Sequence, residues 1–257
     1  MDTINNTSTS GLRIVATMTT IPSRIAFIES VIKSVLSQTI PVSHIEINIP
    51  VTCKRTGEAY ILPQWLSEHL KVQVHRTEDY GPITKVGPTL LRYANDTETY
   101  LWSVDDDFDY PPTHLALVMV PFDPIKKEIL SRYGGKLASD GTIQPWTGTS
   151  YVDYFEGFGS VLYPPNCIRD NFETYLVTSS KNERCRRADD IVLSMYFKHV
   201  GVSMKLNNTP TDDTPYLHLL ESALPQGQIQ ALSAQGHVDN YKVVYKYIRA
   251  LLDSGCI

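Results

Sequence analysis

The sequence predicts a single α/β domain built around a parallel sheet. Three observations carry this. The chain opens as strand, helix, strand, the unit that builds parallel sheets. The apolar, β-favouring stretch Tyr100–Val104 stops abruptly at Asp105, Asp106 and Asp107. Neither an internal repeat nor a low-complexity linker interrupts the 257 residues, a length that suits one large domain.

Leu12–Met18 (LRIVATM) is short and apolar and predicts a buried strand. Pro22 and Ser23 then open a helix whose apolar positions Ile25, Ile28, Val31, Ile32, Val35 and Leu36 follow the spacing of one buried face. His44–Ile49 alternates as a second strand, and Val72–His75 is a third. Asp79–Pro82 has the composition of a turn. Lys85–Asn95 predicts a helix and Tyr100–Val104 the strand before the acidic run. Residues 12–110 therefore have the form of a nucleotide-binding α/β half. Residues 111–257 are less regular. His114–Val120 is apolar, Asp123–Tyr133 is expected to be helical, and Gly134–Thr149 reads as a loop or hairpin. Tyr151–Tyr163 mixes aromatics, β-branched residues and glycines. Ala188–His199 is a helix, Thr209–Pro215 a loop, and Val238–Leu252 an amphipathic helix whose stripe faces the core.

Composition narrows the partners. At 42% hydrophobic and 20% charged the chain is an ordinary globular one. Its net charge of -5, with no basic run, argues against nucleic acid. No stretch approaches the ~20 apolar residues that span a bilayer. Met1–Gly11 is polar and reads as a disordered tail without a signal-peptide core, so the expected location is cytoplasmic. Cys53, Cys167, Cys185 and Cys256 are scattered and predict free thiols.

The acidic run YLWSVDDDFDYPP is the main chemical signal. Three adjacent carboxylates at a buried strand's end repel one another, and a hard divalent cation such as Mg²⁺ or Mn²⁺ would offset that. A solvated acidic turn is the alternative. TMTTIPSR (Thr17–Arg24) gathers hydroxyls, a helix start and an arginine, which suits phosphate or, equally, a simple N-cap at Ser23. In DYGPITK (Asp79–Lys85), Gly81 allows close backbone approach, Asp79 can accept from a base N–H and Lys85 can meet a phosphate; alone, the segment is an ordinary turn. EGFGSVLYPP sets Gly157 and Gly159 about Phe158, an arrangement that suits a sugar or marks a β-bulge. Asp189 and Asp190 open a helix after Arg184, Arg186 and Arg187, as a held carboxylate able to act as base or as helix caps. His218 is a ligand candidate only if the acidic run needs more donors, and otherwise a core residue.

Together these segments resemble nucleotide-sugar glycosyltransferases of the GT-A fold, and more narrowly the small soluble ones of large algal (chlorella) viruses and bacterial relatives. The matching stretches TTIPSR, DYGPITK, VDDDFDYPP, EGFGSVLYPP and ADDIVLSMYF appear in the family's order and run from Thr19 to about Phe197. The resemblance implies a mixed, mostly parallel sheet flanked by helices. Asp105 and Asp107 would be the DxD pair, with Asp107 the firmer metal ligand, Asp105 nearer the ribose and Asp106 in the donor site. Thr19, Arg24, Asp79, Tyr80, Gly81 and Lys85 would hold the nucleotide of a UDP-sugar. Asp189 and Asp190 would match the acidic pair of inverting enzymes, with Asp190 as general base; many relatives have Glu at position 189. Gly157, Phe158 and Gly159 would meet a glycan acceptor, and His218 would be the C-terminal metal histidine. A metal-dependent phosphohydrolase or nucleotidyltransferase also gathers aspartates around Mg²⁺, and a non-enzymatic carbohydrate-binding domain would use the aromatic-rich half.

Overall fold

The computed structural model describes residues 11–146, 148–208, 218–219 and 237–255; the side chains of 218–219 and 237–239 lie outside the description. The tail read over Met1–Gly11 (apart from Gly11), the loop Thr209–Pro215 and Cys256 fall outside these residues. The strands are β1 (Arg13–Met18), β2 (Ile45–Pro50), β3 (Val72–Thr77), β4 (Thr99–Ser103), β5 (Phe108–Asp109), β6 (Ile129–Ser131) and β7 (Gly134–Leu137). They continue with β8 (Ile143–Pro145), β9 (Gly148–Tyr151), β10 (Tyr154–Phe155), β11 (Val161–Tyr163), β12 (Met204–Asn208) and β13 (His218–Leu219). The helices are α1 (Glu29–Leu36), α2 (Gln64–Glu68), α3 (Gly87–Arg92), α4 (His114–Val118), α5 (Phe172–Ser180), α6 (Asp189–His199) and α7 (His237–Asp253).

Eight strands form one sheet in the order β3-β2-β1-β4-β11-β6-β12-β9. The first four are mutually parallel, β11 runs antiparallel to β4 and β6, β12 is parallel to β6, and β9 closes the edge antiparallel. This is a mixed, mostly parallel, helix-flanked sheet of a single α/β domain, as the sequence predicts. Strand alternation sorts the core. Val15 and Leu101 face the side covered by α3, α5, α6 and α7, while Ile14, Ala16, Met18, Tyr100 and Trp102 face α1 and α4. Both sides of the central strands are buried, which is why they read as continuous apolar runs.

Some elements differ from the sequence expectation. The helix expected from Pro22 begins only at Glu29; residues 22–28 form tight turns, with Arg24 N–H bonded to the Ile21 carbonyl at 2.9 Å and Phe27 N–H to that of Arg24 at 2.8 Å. Ile25 and Ile28 are buried there as the helical pattern required, but the turns let the Arg24 side chain reach the acidic run. The expected helix Asp123–Tyr133 is absent. Its end is β6, a strand buried between β11 and β12, where tertiary pairing overrides local preference. The helix expected over Lys85–Asn95 is confined to α3, because Gly81–Lys85 forms a 3-10 turn. Helices α2 and α5 are additional to the elements that the sequence predicts.

One stitch fixes the segment after the acidic run. Gln38, just past α1, donates to the Pro111 carbonyl at 2.8 Å and accepts from Leu115 N–H at 2.9 Å. Ser34 Oγ accepts from Tyr110 N–H at 3.1 Å. The loop carrying the aspartates is thereby tied to α1 at its exit.

Candidate active site

The parallel strands deliver their carboxyl ends to one edge, where ligands bind in open α/β sheets. Thr19 and Thr20 follow β1, Asp79 follows β3 and the acidic run follows β4. Because β11 is antiparallel, its amino end, Gly157–Ser160, arrives at the same edge.

Asp106 and Asp107 share Arg24, whereas Asp105 meets Lys85. Asp106 is buried, accepting from Thr20 Oγ1 and Arg24 Nη1, both at 2.6 Å. Asp107 meets the same Arg24 nitrogen at 3.0 Å. Asp105 Oδ1 lies 3.1 Å from Lys85 Nζ, and its backbone N–H donates to the Tyr110 hydroxyl at 2.8 Å. Burial, then the charges of Asp106 and Asp105, push the Asp107 carboxyl up to about 7. Burial also raises Asp105, against the pull of Lys85. These two carboxyls are destabilised as anions, and a bound cation would relieve both.

Lys85 joins this run to α6. Its Nζ lies 3.2 Å from Asp189 Oδ2 as well as against Asp105. Burial alone would lower it, but Asp105, Asp189 and Asp190 together hold it well above the usual lysine range. Its carbonyl is pinned by Thr17 Oγ1 at 2.6 Å and Asn48 Nδ2 at 3.3 Å. Arg92 completes this buried polar network by donating to Asn48, Thr89 and Glu46.

Asp190 is held at both oxygens. Gly157 N–H donates to Oδ1 at 2.6 Å, and Tyr241 of α7 donates its hydroxyl to Oδ2 at 2.7 Å. Burial and then the neighbouring Asp189 push the Asp190 carboxyl up to about 7, while Lys85 and these two bonds pull it down. A Cβ at Gly157 would displace the Lys85 ammonium: it would lie 2.5 Å from Lys85 Nζ, 3.1 Å from Asp190 Oδ1 and 3.3 Å from Asp189 Oδ2. Two of the arginines before α6 turn to other partners. Arg186 Nη2 lies 3.1 Å from Asp79 Oδ1, and Arg187 reaches Glu183 at 2.7 Å.

The structure thus gathers Lys85, Asp105, Asp189, Asp190 and Gly157 into one cluster, with Arg24, Asp106 and Asp107 adjoining it. Asp79 sits beside it, accepting from Lys54 N–H and Gly81 N–H, both at 2.7 Å. Gly81 adopts φ +75°, and a Cβ there would collide with the Arg186 carbonyl, so the turn requires glycine. Tyr80 is half-buried, its N–H donating to Thr84 Oγ1 at 2.9 Å. Thr19 stands apart, bonded to the Asn48 carbonyl at 2.8 Å. Phe158 is exposed, its ring 5.1 Å from that of Phe108 and 5.3 Å from that of Tyr133. Gly159 takes φ +75°, and its carbonyl meets His114 Nε2 at 2.7 Å. The Gly-Phe-Gly segment is therefore a tight turn, closed by Ser160 N–H on the Gly157 carbonyl at 3.2 Å. The His218 backbone pairs with Asp109, which sets it beside the acidic run; its side chain lies outside the description.

Among the described residues, no group of three or more His, Cys, Asp or Glu side chains forms a metal cage. Asp105 and Asp107 nevertheless suit a hard cation whose remaining ligands come from a substrate's oxygens. Tyr241, Tyr110, Thr20, His114 and the role of Arg186 were missed in the sequence. Tyr241 falls on the apolar stripe of Val238–Leu252, and nothing local marks it. Cys53, Cys167 and Cys185 are free and buried, and burial pushes the Cys167 and Cys185 thiols up to about 12, which leaves them inert.

No protein-family model matches this chain, and no curated protein matches it. Among solved structures it is similar to S. aureus TarS 1-349, with a TM-score of 0.47 and 11% sequence identity over 92% of this chain and 71% of that one. Among the described residues, no helix is long and apolar enough to cross a membrane.

Proposed function

We propose that this protein is a metal-dependent, inverting glycosyltransferase that moves a sugar from a UDP-sugar to a hydroxyl of a glycan acceptor. The observation that carries the reading is the Lys85 bridge. It joins Asp105, at the end of β4, to Asp189, at the start of α6, beside Asp190, whose carboxyl is pushed up to about 7, all at the carboxyl edge of the sheet.

Asp105 and Asp107 would hold Mn²⁺ or Mg²⁺, with His218 as a further candidate ligand. The metal, when bound, supplies positive charge against the donor diphosphate. Lys85 stays protonated and offsets charge developing on the departing nucleoside diphosphate. Asp79 accepts from the base, and its bonds to Gly81 and Arg186 fix its direction. Asp190 takes the proton of the acceptor hydroxyl as that oxygen attacks the anomeric carbon from the face opposite the leaving group. Tyr241 and Gly157 hold Asp190 in place, each occupying only one lone pair of its oxygen. Phe158, backed by Phe108 and Tyr133, offers an aromatic face to the acceptor sugar.

The test is calorimetric titration of UDP with Mn²⁺ and with EDTA, alongside product analysis on a panel of UDP-sugars. Metal-dependent UDP binding and slow release of UDP are expected. Release of inorganic phosphate would mean a phosphohydrolase, and sugar binding without turnover a carbohydrate-binding domain.

A further inference from the structure

Arg132 is a charged side chain that the proposed reaction leaves unused. It follows β6 and is only 4% exposed. Its Nη1 donates to the Asn207 carbonyl at 2.7 Å, and none of the ion pairs among the described residues includes it. The aspartates of the acidic run are engaged elsewhere, Asp105 with Lys85 and both Asp106 and Asp107 with Arg24. Burial lowers the Arg132 guanidinium, and Tyr133 is the neighbour that opposes this. Buried charges are ordinarily paired, so a cation set this deep against a lone carbonyl calls for an anion.

The position of Arg132 says where that anion comes from. Ser131 pairs with Val161, and Val161 with Ser103, so Arg132 leaves the sheet at the same edge as the acidic run. Leu130 packs in the core beneath α4, and by alternation residue 132 turns to that side. His114 of α4 feels its charge and holds the Gly159 carbonyl. Tyr133, next in sequence, lies against Phe158, the aromatic face proposed for the acceptor. Lys85 and Asp79, the groups assigned to the nucleotide, are reached through β1 to β4 on the other side of β11.

We propose that Arg132 binds an oxyanion, a carboxylate or phosphate, carried by the acceptor, so that the acceptor is an acidic glycan. A guanidinium suits this, because its planar fork takes two oxygens at once. The inference rests on the glycosyltransferase reading for the acceptor's role.

The test compares methyl β-glucoside with methyl β-glucuronide, which differ only in the carboxylate, and uridine with UDP. All four are titrated into wild type and Arg132→Gln by calorimetry in the presence of Mn²⁺. Wild type should bind the glucuronide at least ~10-fold more tightly than the glucoside, and Arg132→Gln should erase that preference while leaving UDP unchanged. Equal affinity of wild type for both sugars would overturn the proposal. So would a variant that weakens UDP but not uridine, since the anion would then be the donor diphosphate. Should Arg132→Gln fail to fold, Arg132→Lys carries the test. It keeps the charge but not the fork, and unchanged glucuronide affinity would overturn the proposal. A wild type that binds the glucuronide but no UDP would contradict the donor reading and leave the Arg132 site standing.

Discussion

Gly157→Ala probes the centre of the site with a single methyl group. Gly157 does not require positive φ, so alanine meets no backbone strain. It meets Lys85 Nζ at 2.5 Å, whereas ordinary Cβ contact begins near 3.4 Å, so the ammonium must retreat by about 0.9 Å (3.4 − 2.5). Its bonds to Asp105 and Asp189 are 3.1 and 3.2 Å long, and the retreat is expected to weaken at least one of them. A hydrogen bond to a charged group is worth ~1.5–3 kcal/mol, which corresponds to a ~10- to 100-fold loss in donor affinity or transfer rate. The melting temperature should fall as well, by ~2–4 °C per kcal/mol for a chain of this length. Gly201→Ala is the control. It sits at φ +79° with nothing within 4 Å, so it costs strain and leaves UDP affinity intact. The assays are thermal unfolding and UDP calorimetry on both variants. Unchanged stability and UDP affinity in Gly157→Ala would refute the packed Lys85 cluster.

Three further outcomes follow. With the Asp190 carboxyl raised to about 7, the base form accumulates as pH rises, so kcat/KM should climb through a limb near pH 7 and level above it; a rate independent of pH from 5 to 9 would contradict this. Tyr241→Phe keeps the ring but removes the hydroxyl that favours the ionised carboxylate, so that limb should move to higher pH with donor KM unchanged; an unmoved limb would reduce Tyr241 to packing. Asp107 has a folded pKa of about 7, above the unfolded ~3.9, so its ionisation withdraws stability as pH rises between these values. Asp107→Asn should therefore be more stable than wild type at pH 8 without metal, and should lose the stabilisation that Mn²⁺ with UDP gives wild type; a variant still stabilised by that pair would remove Asp107 from the metal site.

The parallel half of the fold is legible because β1 and β4 are largely apolar and β2 alternates Ile45, Ile47 and Ile49 with Glu46 and Asn48, all buried. The strand β6 was not, since Ile129–Ser131 owes its form to pairing with β11 and β12, partners distant in sequence. Helix α6 was legible from its acidic start and long apolar run, whereas the short α2 and the weakly patterned α5 were not. In the site, the individual carboxylates and Lys85 stood out as residue types, but their pairing did not. Asp106 and Asp107 share Arg24 only because turns replace the first part of the expected helix. Tyr241 meets Asp190 across 51 residues of sequence, and the tyrosine there matches the apolar spacing of a core stripe. Arg186 lay next to the acidic pair in sequence, yet its partner is Asp79 from the end of β3.

The central claim is that Asp190 is the base of an inverting transfer. The most direct measurement is the transfer rate of Asp190→Asn at pH 8 with Mn²⁺, once the panel has supplied a donor, with UDP affinity and product anomeric configuration measured alongside. Asparagine keeps the size of aspartate and can still accept from Gly157 N–H, so the fold and UDP affinity should hold. The rate should fall by ~10²–10⁴-fold, and the wild-type product should carry the inverted configuration. Full activity in the variant, or a retained configuration in the wild-type product, would contradict the account.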